Sequence, residues 1–385
     1  MRIVHVSTLY FPLIGGLEIA AQRVAEEQAK LGHEVYVVTS SAYAEGRLMR
    51  EEGAVSVIRV KSWKNPYPYL IVPREIPRDI LREADVVFGW GHSYYFVYEM
   101  VKRAKVEFKK PIIQYFIGVD YLKYHYNPLI KTLGYLYQKL LTKGFVRIVD
   151  LALVTNEYER RLLKEGYGLD AIVVPHGIDE VYLELPSMDE GFRRKYNVKG
   201  KIVAFIGRIH PTKGLDLLIK AFAEVAMKVS GVVLIIAGSG DERYLEKCMR
   251  LAERLGVKGK IKYLDRISEE DKIALIDASD VIVLPTRHAG ESYPLLVNEV
   301  LARGKKFVMT KGSIASRWIE GSGIARVVNA DPRELARAIT DELGSKNSIK
   351  VNNKKTVKIR TWRDVAYRFL ELLQQILEGE GLIRS

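Results

Sequence analysis

Two doubly wound α/β domains are predicted for this chain, and three observations carry the prediction. Strand-like runs alternate with helical ones almost throughout, the rhythm breaks and restarts once, and 385 residues exceed what one hydrophobic core ordinarily organises. RIVHVST reads as a first strand, and LEIAAQRVAEEQAKLG after it as a helix with apolar residues at helical spacing. HEVYVVTS, ADVVFGW, KPIIQYFI and DLALVTN supply further strands of a parallel sheet covered by helices. The stretch IDEVYLELPSMDEGFRRKYNVKG is polar and turn-rich and reads as the junction. Beyond it follow KIVAFIG, a helix from about Gly214, GVVLIIAG, a helix from Asp241, KIKYLD, a helix from Glu269, and DVIVLPT. The expected division is 1–180, 181–360 and a C-terminal segment 361–385. In that last segment TWRDVAYRFLELLQQIL is an amphipathic helix with no strand after it, expected to cross back to the first domain.

Composition excludes several classes. Hydrophobic content of 48% with 28% charged residues is that of a globular protein. The apolar runs fall far short of the roughly 20 residues of a membrane span, and MRIVHVSTLYFP lacks the long apolar centre and small-residue cleavage site of a signal peptide. Cys248 is the only cysteine, which excludes disulfides and thiolate metal clusters and fits a reducing cytoplasm. A formal charge of +13 implies anionic partners. Nucleic acid is not expected among them, because no binding motif accompanies the charge.

In parallel sheets of this kind ligands gather at the carboxyl ends of strands, and four stretches lie there. HVSTLYFPLIGGLE places Gly15 and Gly16 at a strand-to-helix turn, which is either a plain tight turn or a place where helix amides receive an anion. FIGRIHPTKGLDLLIKAF places Arg208 just after a strand and Lys213 at the mouth of the next helix. The pair suits a diphosphate or is simply solvated surface. IIAGSGDERYLEKCMRL offers Gly238 and Gly240, a weak signal that is most often a turn.

The fourth stretch, RHAGESYPLLVNEVLARGKKFV, sets Glu291 in a loop and Glu299 inside the helix that Pro294 opens and Gly304 ends. A carboxylate grips two neighbouring hydroxyls, as sugars are commonly held, and the amides of Ser292 to Leu296 face an anion. The alternative is that Glu291 only complements the helix dipole and Glu299 is an exposed helix residue.

Taken together the four stretches resemble retaining nucleotide-sugar glycosyltransferases of family 4, with the GT-B fold. The resemblance runs over nearly the whole chain: GG-x-E with GHEV, GR with a following KG, AGSG, and Glu291 followed after seven residues by Glu299. It implies an α/β architecture of two Rossmann-like domains facing a central cleft. It also implies transfer of a sugar from a nucleotide donor to a hydroxyl acceptor (a glycan, a lipid-linked or a small phosphorylated acceptor) with retention of configuration.

Carried over residue by residue, Arg208 and Lys213 would bind the donor diphosphate and stabilise its departure. Gly15 and Gly16 would close against the phosphates, Glu291 would hold donor-sugar hydroxyls and Glu299 the ribose. Ser292, Tyr293, Leu295 and Leu296 would contribute from the helix start. The base would fall to the segment around Gly238, Leu264, Asp265 and Arg266.

On the acceptor side the family's H-G-x-D segment reads here Ile117, Gly118, Val119, Asp120, so its histidine is missing. His92 is another strand-end histidine that could serve there, with a structural role as the alternative. His176 stands where the family commonly has asparagine. With no D-x-D and no clustered His or Cys, neither a metal nor another cofactor is expected. Two rivals share these motifs: a nucleotide-sugar epimerase of similar architecture and a non-catalytic nucleotide-sugar-binding protein.

Residues 121–149 contain five Lys or Arg, five tyrosines and no acid. Such a composition suits a helix lying on anionic lipid, or else a core helix with basic edges. KSWKNPYPYLIVPREIPR is expected to extend the acceptor surface. A cytoplasmic protein peripheral to the inner face of the cell membrane is the resulting expectation.

Overall fold

In the computed structural model RIVHVS forms β1 (Arg2–Ser7), and α1 (Gly16–Lys30) returns the chain to β2 (Glu34–Ser40). The structure describes residues 1–12, 15–43, 51–52, 55–65, 67–125, 127–345 and 359–378. Pro66 of the aromatic loop, Tyr126 of the basic segment, residues 346–358 of the second domain and 379–385 of the C-terminal segment lie outside the described residues. The chain divides into two units, Met1–Gly177 with the chain from Arg360 onward, and Ile178–Ile359.

In the first unit the edge strand β3 (Glu51–Glu52) pairs antiparallel with β4 (Val55–Val60), and β5 (Ser62–Trp63) pairs with β6 (Val72–Pro73) in a separate ribbon. After α2 (Arg78–Glu83) come β7 (Val86–Trp90), α3 (Tyr95–Phe108), β8 (Ile112–Phe116), α4 (Tyr135–Val146), β9 (Leu151–Val154), α5 (Glu157–Tyr167) and β10 (Ile172–Val173). The sheet order is β10-β9-β8-β7-β1-β2-β4-β3, parallel apart from β3. The chain therefore builds outward from β1 in one direction, then crosses back to build from β7 in the other. That reversal marks where an open parallel sheet takes its ligands.

The second unit repeats the plan. The stretch read as a polar junction contains two short helices, α6 (Val181–Glu184) and α7 (Asp189–Lys195). Tyr182 and Phe192 from them are buried in this unit's core. Arg303 holds the stretch in place: it grips Asp277 at 2.7 and 2.8 Å and donates to the carbonyls of Tyr182, Leu185 and Pro186. Then follow β11 (Lys201–Ile206), α8 (Leu215–Lys228), β12 (Val232–Ala237), α9 (Glu242–Arg254), β13 (Ile261–Tyr263), α10 (Glu269–Ala278) and β14 (Val281–Leu284). The unit ends with α11 (Leu295–Ala302), β15 (Phe307–Thr310), α12 (Ile314–Ile319), β16 (Arg326–Val328) and α13 (Pro332–Gly344).

Its sheet is parallel throughout, in the order β13-β12-β11-β14-β15-β16, so the reversal falls between β11 and β14. Successive side chains of β11 part to opposite faces, Val203 and Phe205 into one core and Ile202, Ala204 and Ile206 into the other. Burial on both faces explains why these strands read as unbroken apolar runs. Cys248 is buried in the first of these cores, where desolvation pushes its thiol up to about 11.

The C-terminal helix α14 (Trp362–Leu377) starts at a capping box between Thr361 and Asp364 and belongs to the first unit. Phe369 stacks on Phe88 and Trp90 at 5.4 and 5.9 Å and meets Tyr115 edge-on. The sheet face on that side would otherwise present these rings to water. Beside them His5 accepts from the Trp90 indole at 2.9 Å and bonds Gln28 of α1 at 2.7 Å. Burial lowers its pKa to about 4, so the ring is a neutral pin between strand and helix.

Candidate active site

The loops that leave β11 and β14 meet where the strand order of the second unit reverses. Lys213, in the single 3-10 turn Pro211–Lys213 after β11, forms an ion pair with Glu291 from the loop after β14. The pair is largely covered, with 17% of the lysine and 10% of the glutamate side chain exposed. Thr286 donates to the second carboxylate oxygen at 2.6 Å. Burial by itself would raise the Glu291 carboxyl, but the Lys213 ammonium and the Thr286 hydroxyl outweigh it and hold the group below its usual range. The loop is fastened from behind, since Ala315 of α12 donates to the Glu291 carbonyl at 2.8 Å. Arg208 lies exposed on the β11 loop.

Glycines let three loops press against one another here. A side chain on Gly238 would place its Cβ 2.0 Å from the Gly207 carbonyl, one on Gly240 would sit 2.2 Å from that of Ile209, and one on Gly214 would sit 2.0 Å from that of Pro285. Ile209 and Gly240 form a parallel bridge, and the Arg287 amide donates to the Thr212 carbonyl at 2.7 Å. Arg287 also pairs with Asp216 at 2.8 Å, tying the β14 loop to α8. Gly214 carries φ +69 in addition to the close approach. Gly214→Ala should therefore lower unfolding stability by at least about 1 kcal/mol, read as a fall in the urea midpoint. An unchanged midpoint would show that the loops can part without cost.

Glu299 is not the exposed helix residue of the bland alternative. Only 11% of its side chain is exposed, and it accepts from Lys272 of α10 at 3.0 Å, while Lys272 also pairs with Glu269 at 2.8 Å. Desolvation raises the Glu299 carboxyl, with Glu269 adding to the effect and Lys272 only partly offsetting it. Helix α11 begins at Leu295 with Pro294 as its N-cap, so the Leu295 and Leu296 amides lie in the first turn, where helices lack internal acceptors.

Tyr293, expected to contribute through its backbone amide, has its side chain turned to the support of the loop. Its ring stacks on Trp318 at 4.9 Å and its hydroxyl donates to Asn298 at 2.9 Å, so the side chain is part of the loop's support. Ser292 is likewise buried, its carbonyl accepting from the Trp318 indole at 2.9 Å. Of the base segment, Asp265 sits at φ +52 and its carbonyl receives the Gly238 amide at 2.7 Å. Its side chain accepts from Tyr263 at 3.0 Å, and Arg266 is exposed.

In the first unit Gly15 caps α1 after β1, and a Cβ on Gly16 would meet nothing within 4 Å. His92, after β7, is fully buried against Phe116, and desolvation lowers its pKa to about 3. Such burial fits the structural role weighed for His92 beside the acceptor-side one. His176, for which no catalytic role is expected, is packed between Tyr115 and Trp362, and burial lowers its pKa to about 3.

The loop after β8 carries Gly118 at φ +73 and Asp120 at φ +56. Asp120 is buried and receives the Tyr167 hydroxyl. Glu159, fully buried, accepts from the Gly118 and Val119 amides and from Thr155, and so fixes the loop.

Sequence reasoning did not find Thr286, Lys272, Glu269 or Glu159. Thr286 carried a signal, as the polar end of an apolar strand five residues before Glu291. The other three stand in ordinary helix-start sequences.

Comparison with known proteins places this architecture. Sucrose-phosphate synthase from Thermosynechococcus elongatus superposes with a TM-score of 0.78 at 17% identity, covering 98% of this chain and 99% of that one. HepE of Anabaena, solved in complex with UDP, gives 0.72 at 17% identity over 98% and 99%. At such identity the likeness speaks for the fold, and the fold is that of GT-B glycosyltransferases.

Two family models then tile the sequence: Glycosyltransferase Family 4 over residues 14–181 and Glycosyl transferases group 1 over 188–356. The chain belongs to the family 4 glycosyltransferases. Phosphatidyl-myo-inositol mannosyltransferase of Mycobacterium tuberculosis is 29% identical over 203 residues, 52% of this chain and 49% of that protein, so the match spans about half its length. D-inositol 3-phosphate glycosyltransferase of Corynebacterium glutamicum is 25% identical over 96% of this chain and 93% of its own.

Proposed function

We propose that the protein transfers a sugar from a nucleotide-sugar donor to a hydroxyl acceptor with retention of anomeric configuration. The observation that carries the proposal is the meeting of Lys213 and Glu291 at the strand-order reversal, with Arg208 exposed on the same loop as Lys213. An ammonium has three donors, so Lys213 can keep Glu291 and still reach a diphosphate oxygen. Arg208 and Lys213 bind the diphosphate, Glu291 holds hydroxyls of the transferred sugar, and Glu299 holds the ribose. The Leu295 and Leu296 amides favour the phosphate charge. Gly238, Asp265 and Arg266 are assigned to the base.

In the reaction the bond from the anomeric carbon to the diphosphate oxygen breaks and the acceptor oxygen bonds that carbon on the same face. The acceptor's proton passes to the leaving phosphate oxygen. Cations placed on the departing charge do the work of a divalent ion. Activity should accordingly survive EDTA; abolition by chelator with rescue by a divalent cation would overturn that part.

The names of the relatives make a phosphorylated polyol or its lipid-linked form a reasonable acceptor class, with Gly118 and Asp120 in the acceptor-side loop. Among the described residues no helix is long and apolar enough to cross a membrane. We place the enzyme in the cytoplasm, against an anionic membrane surface that its basic segment contacts.

Incubation with a panel of UDP-, GDP- and ADP-sugars tests the reading. A matched donor should raise the melting temperature, and free nucleoside diphosphate should appear when an acceptor is supplied. Stabilisation without released diphosphate in any donor and acceptor combination would favour a binding protein, and conversion of the sugar with its diphosphate still attached would favour an epimerase.

A further inference from the structure

The segment 121–149 presents leucines where a soluble helix presents polar residues. Leu129 precedes the π-helical turn Ile130–Gly134, which runs directly into α4, and Leu129, Leu133, Leu136 and Leu140 are 65, 57, 54 and 62% exposed. Their spacing of four, three and four residues puts them on one stripe. The opposite side of α4 is already used: Gln138, Leu141, Thr142 and Phe145 are buried in the first unit. The leucines are therefore surplus to the core, and four in a row make a patch of the kind that marks an interaction site.

Cations stand around the stripe. Lys131, Lys143 and Arg147 are exposed, Lys139 is half-buried, and the whole segment contains no acid. The neighbouring aromatic loop is fastened to the same helix, because the Tyr137 hydroxyl donates to the Tyr69 carbonyl at 2.7 Å. That loop exposes Tyr67 and Leu70, 54 and 41% accessible, and Trp63 just before it is 62% exposed.

We infer that Leu129, Leu133, Leu136 and Leu140, with the exposed aromatic loop at Trp63, Tyr67 and Leu70, form the footprint by which this protein seats on an anionic lipid bilayer. The inference deepens, and rests on, the membrane part of the reading above by naming the surface and its orientation. Leucines enter the acyl boundary, Trp and Tyr rings sit at headgroup level, and the lysines meet lipid phosphates. Charge favours lipid over a second copy of the chain. A two-fold interface would set this stripe against itself and bring the same cations together with no acid in the segment to pair with them.

The test uses the full chain and sedimentation with vesicles of phosphatidylcholine, with and without phosphatidylglycerol. The wild-type protein should bind the anionic vesicles, release with added salt, and ignore the neutral ones. Leu133→Ser with Leu136→Ser should weaken vesicle binding at least tenfold. Both side chains are exposed, so the melting temperature and its rise with UDP, GDP or ADP should stay as in wild type. Lys131→Glu with Lys143→Glu should abolish the preference for phosphatidylglycerol.

Vesicle binding that persists in the leucine variant overturns the footprint and leaves the membrane reading standing. Absence of wild-type binding to anionic vesicles overturns both. A wild-type dimer that the leucine variant converts to monomer, without vesicle binding, assigns the stripe to a second copy and overturns the proposal.

Discussion

Replacement of Lys213 by alanine should lower the rate of sugar transfer by about a hundredfold or more, the loss that follows deletion of one preorganised donor from a developing anion. Arg208→Ala should give a similar rate loss if, as proposed, both cations bind the departing diphosphate. The two variants should differ in stability. Lys213 is the cation of a largely covered pair, and its removal leaves the Glu291 carboxylate without a counter-charge. Arg208 is exposed, and its loss should leave the melting temperature unchanged.

The pH dependence separates them further. In the wild type the Glu291 carboxyl is held below its usual range, so its stabilising contribution is present above the ordinary carboxylate pKa and is lost as pH falls through the folded value. In Lys213→Ala burial dominates and raises the carboxyl, so that variant should lose stability as pH rises through the carboxylate range and above. Melting curves from pH 4 to 8 on both variants, with turnover measured beside them, check the whole set. Turnover near wild type in either variant would remove the diphosphate assignment.

How much of this was legible in the sequence depends on the range of the interaction. The strands β11, β12 and β14 announce themselves because burial on both faces demands unbroken apolar runs. Glycines 214 and 238 were visible as glycines, but the carbonyls they accommodate belong to Pro285 and Gly207, which only the sheet order brings near. Helices α6 and α7, four and seven residues long, are too short to show a period, so the segment read as a polar junction. What holds α6 is Arg303, more than a hundred residues further along.

The same applies to the site. Glu291 and Glu299 could be singled out by their spacing and position, whereas their partners come from separate elements. For His92 the sequence left an acceptor-side and a structural role open, and it could not show that α4 packs over the loop, with Gln138 reaching Ser93 and the Gly118 carbonyl, and buries the ring.

Glu291→Gln and Glu299→Gln should fail in different ways. If Glu299 holds the ribose, Glu299→Gln should weaken free nucleoside diphosphate and intact donor alike, because both carry that ribose. Glu291→Gln should weaken the intact donor and spare the free diphosphate, because only the donor carries the transferred sugar. A hydrogen bond from a hydroxyl to a carboxylate contributes about 1.5 to 3 kcal/mol, a change of roughly ten- to 150-fold in affinity.

The structure sharpens the expectation by showing that the two carboxylates serve different cations. Glu299 shares Lys272 with Glu269, so neutralising it leaves that lysine a partner, and the helix should remain in place. Glu291 shares Lys213 with no second acid among the described ion pairs, so its amide variant frees an ammonium next to the proposed diphosphate position. Diphosphate affinity in Glu291→Gln should therefore be unchanged or slightly improved. Two carboxylates working as a glycosidase pair would instead lose turnover with nucleotide affinity intact in both variants. Titration calorimetry of each variant with each ligand decides the matter, and equal diphosphate affinity in the two would remove the division of labour between Glu291 and Glu299.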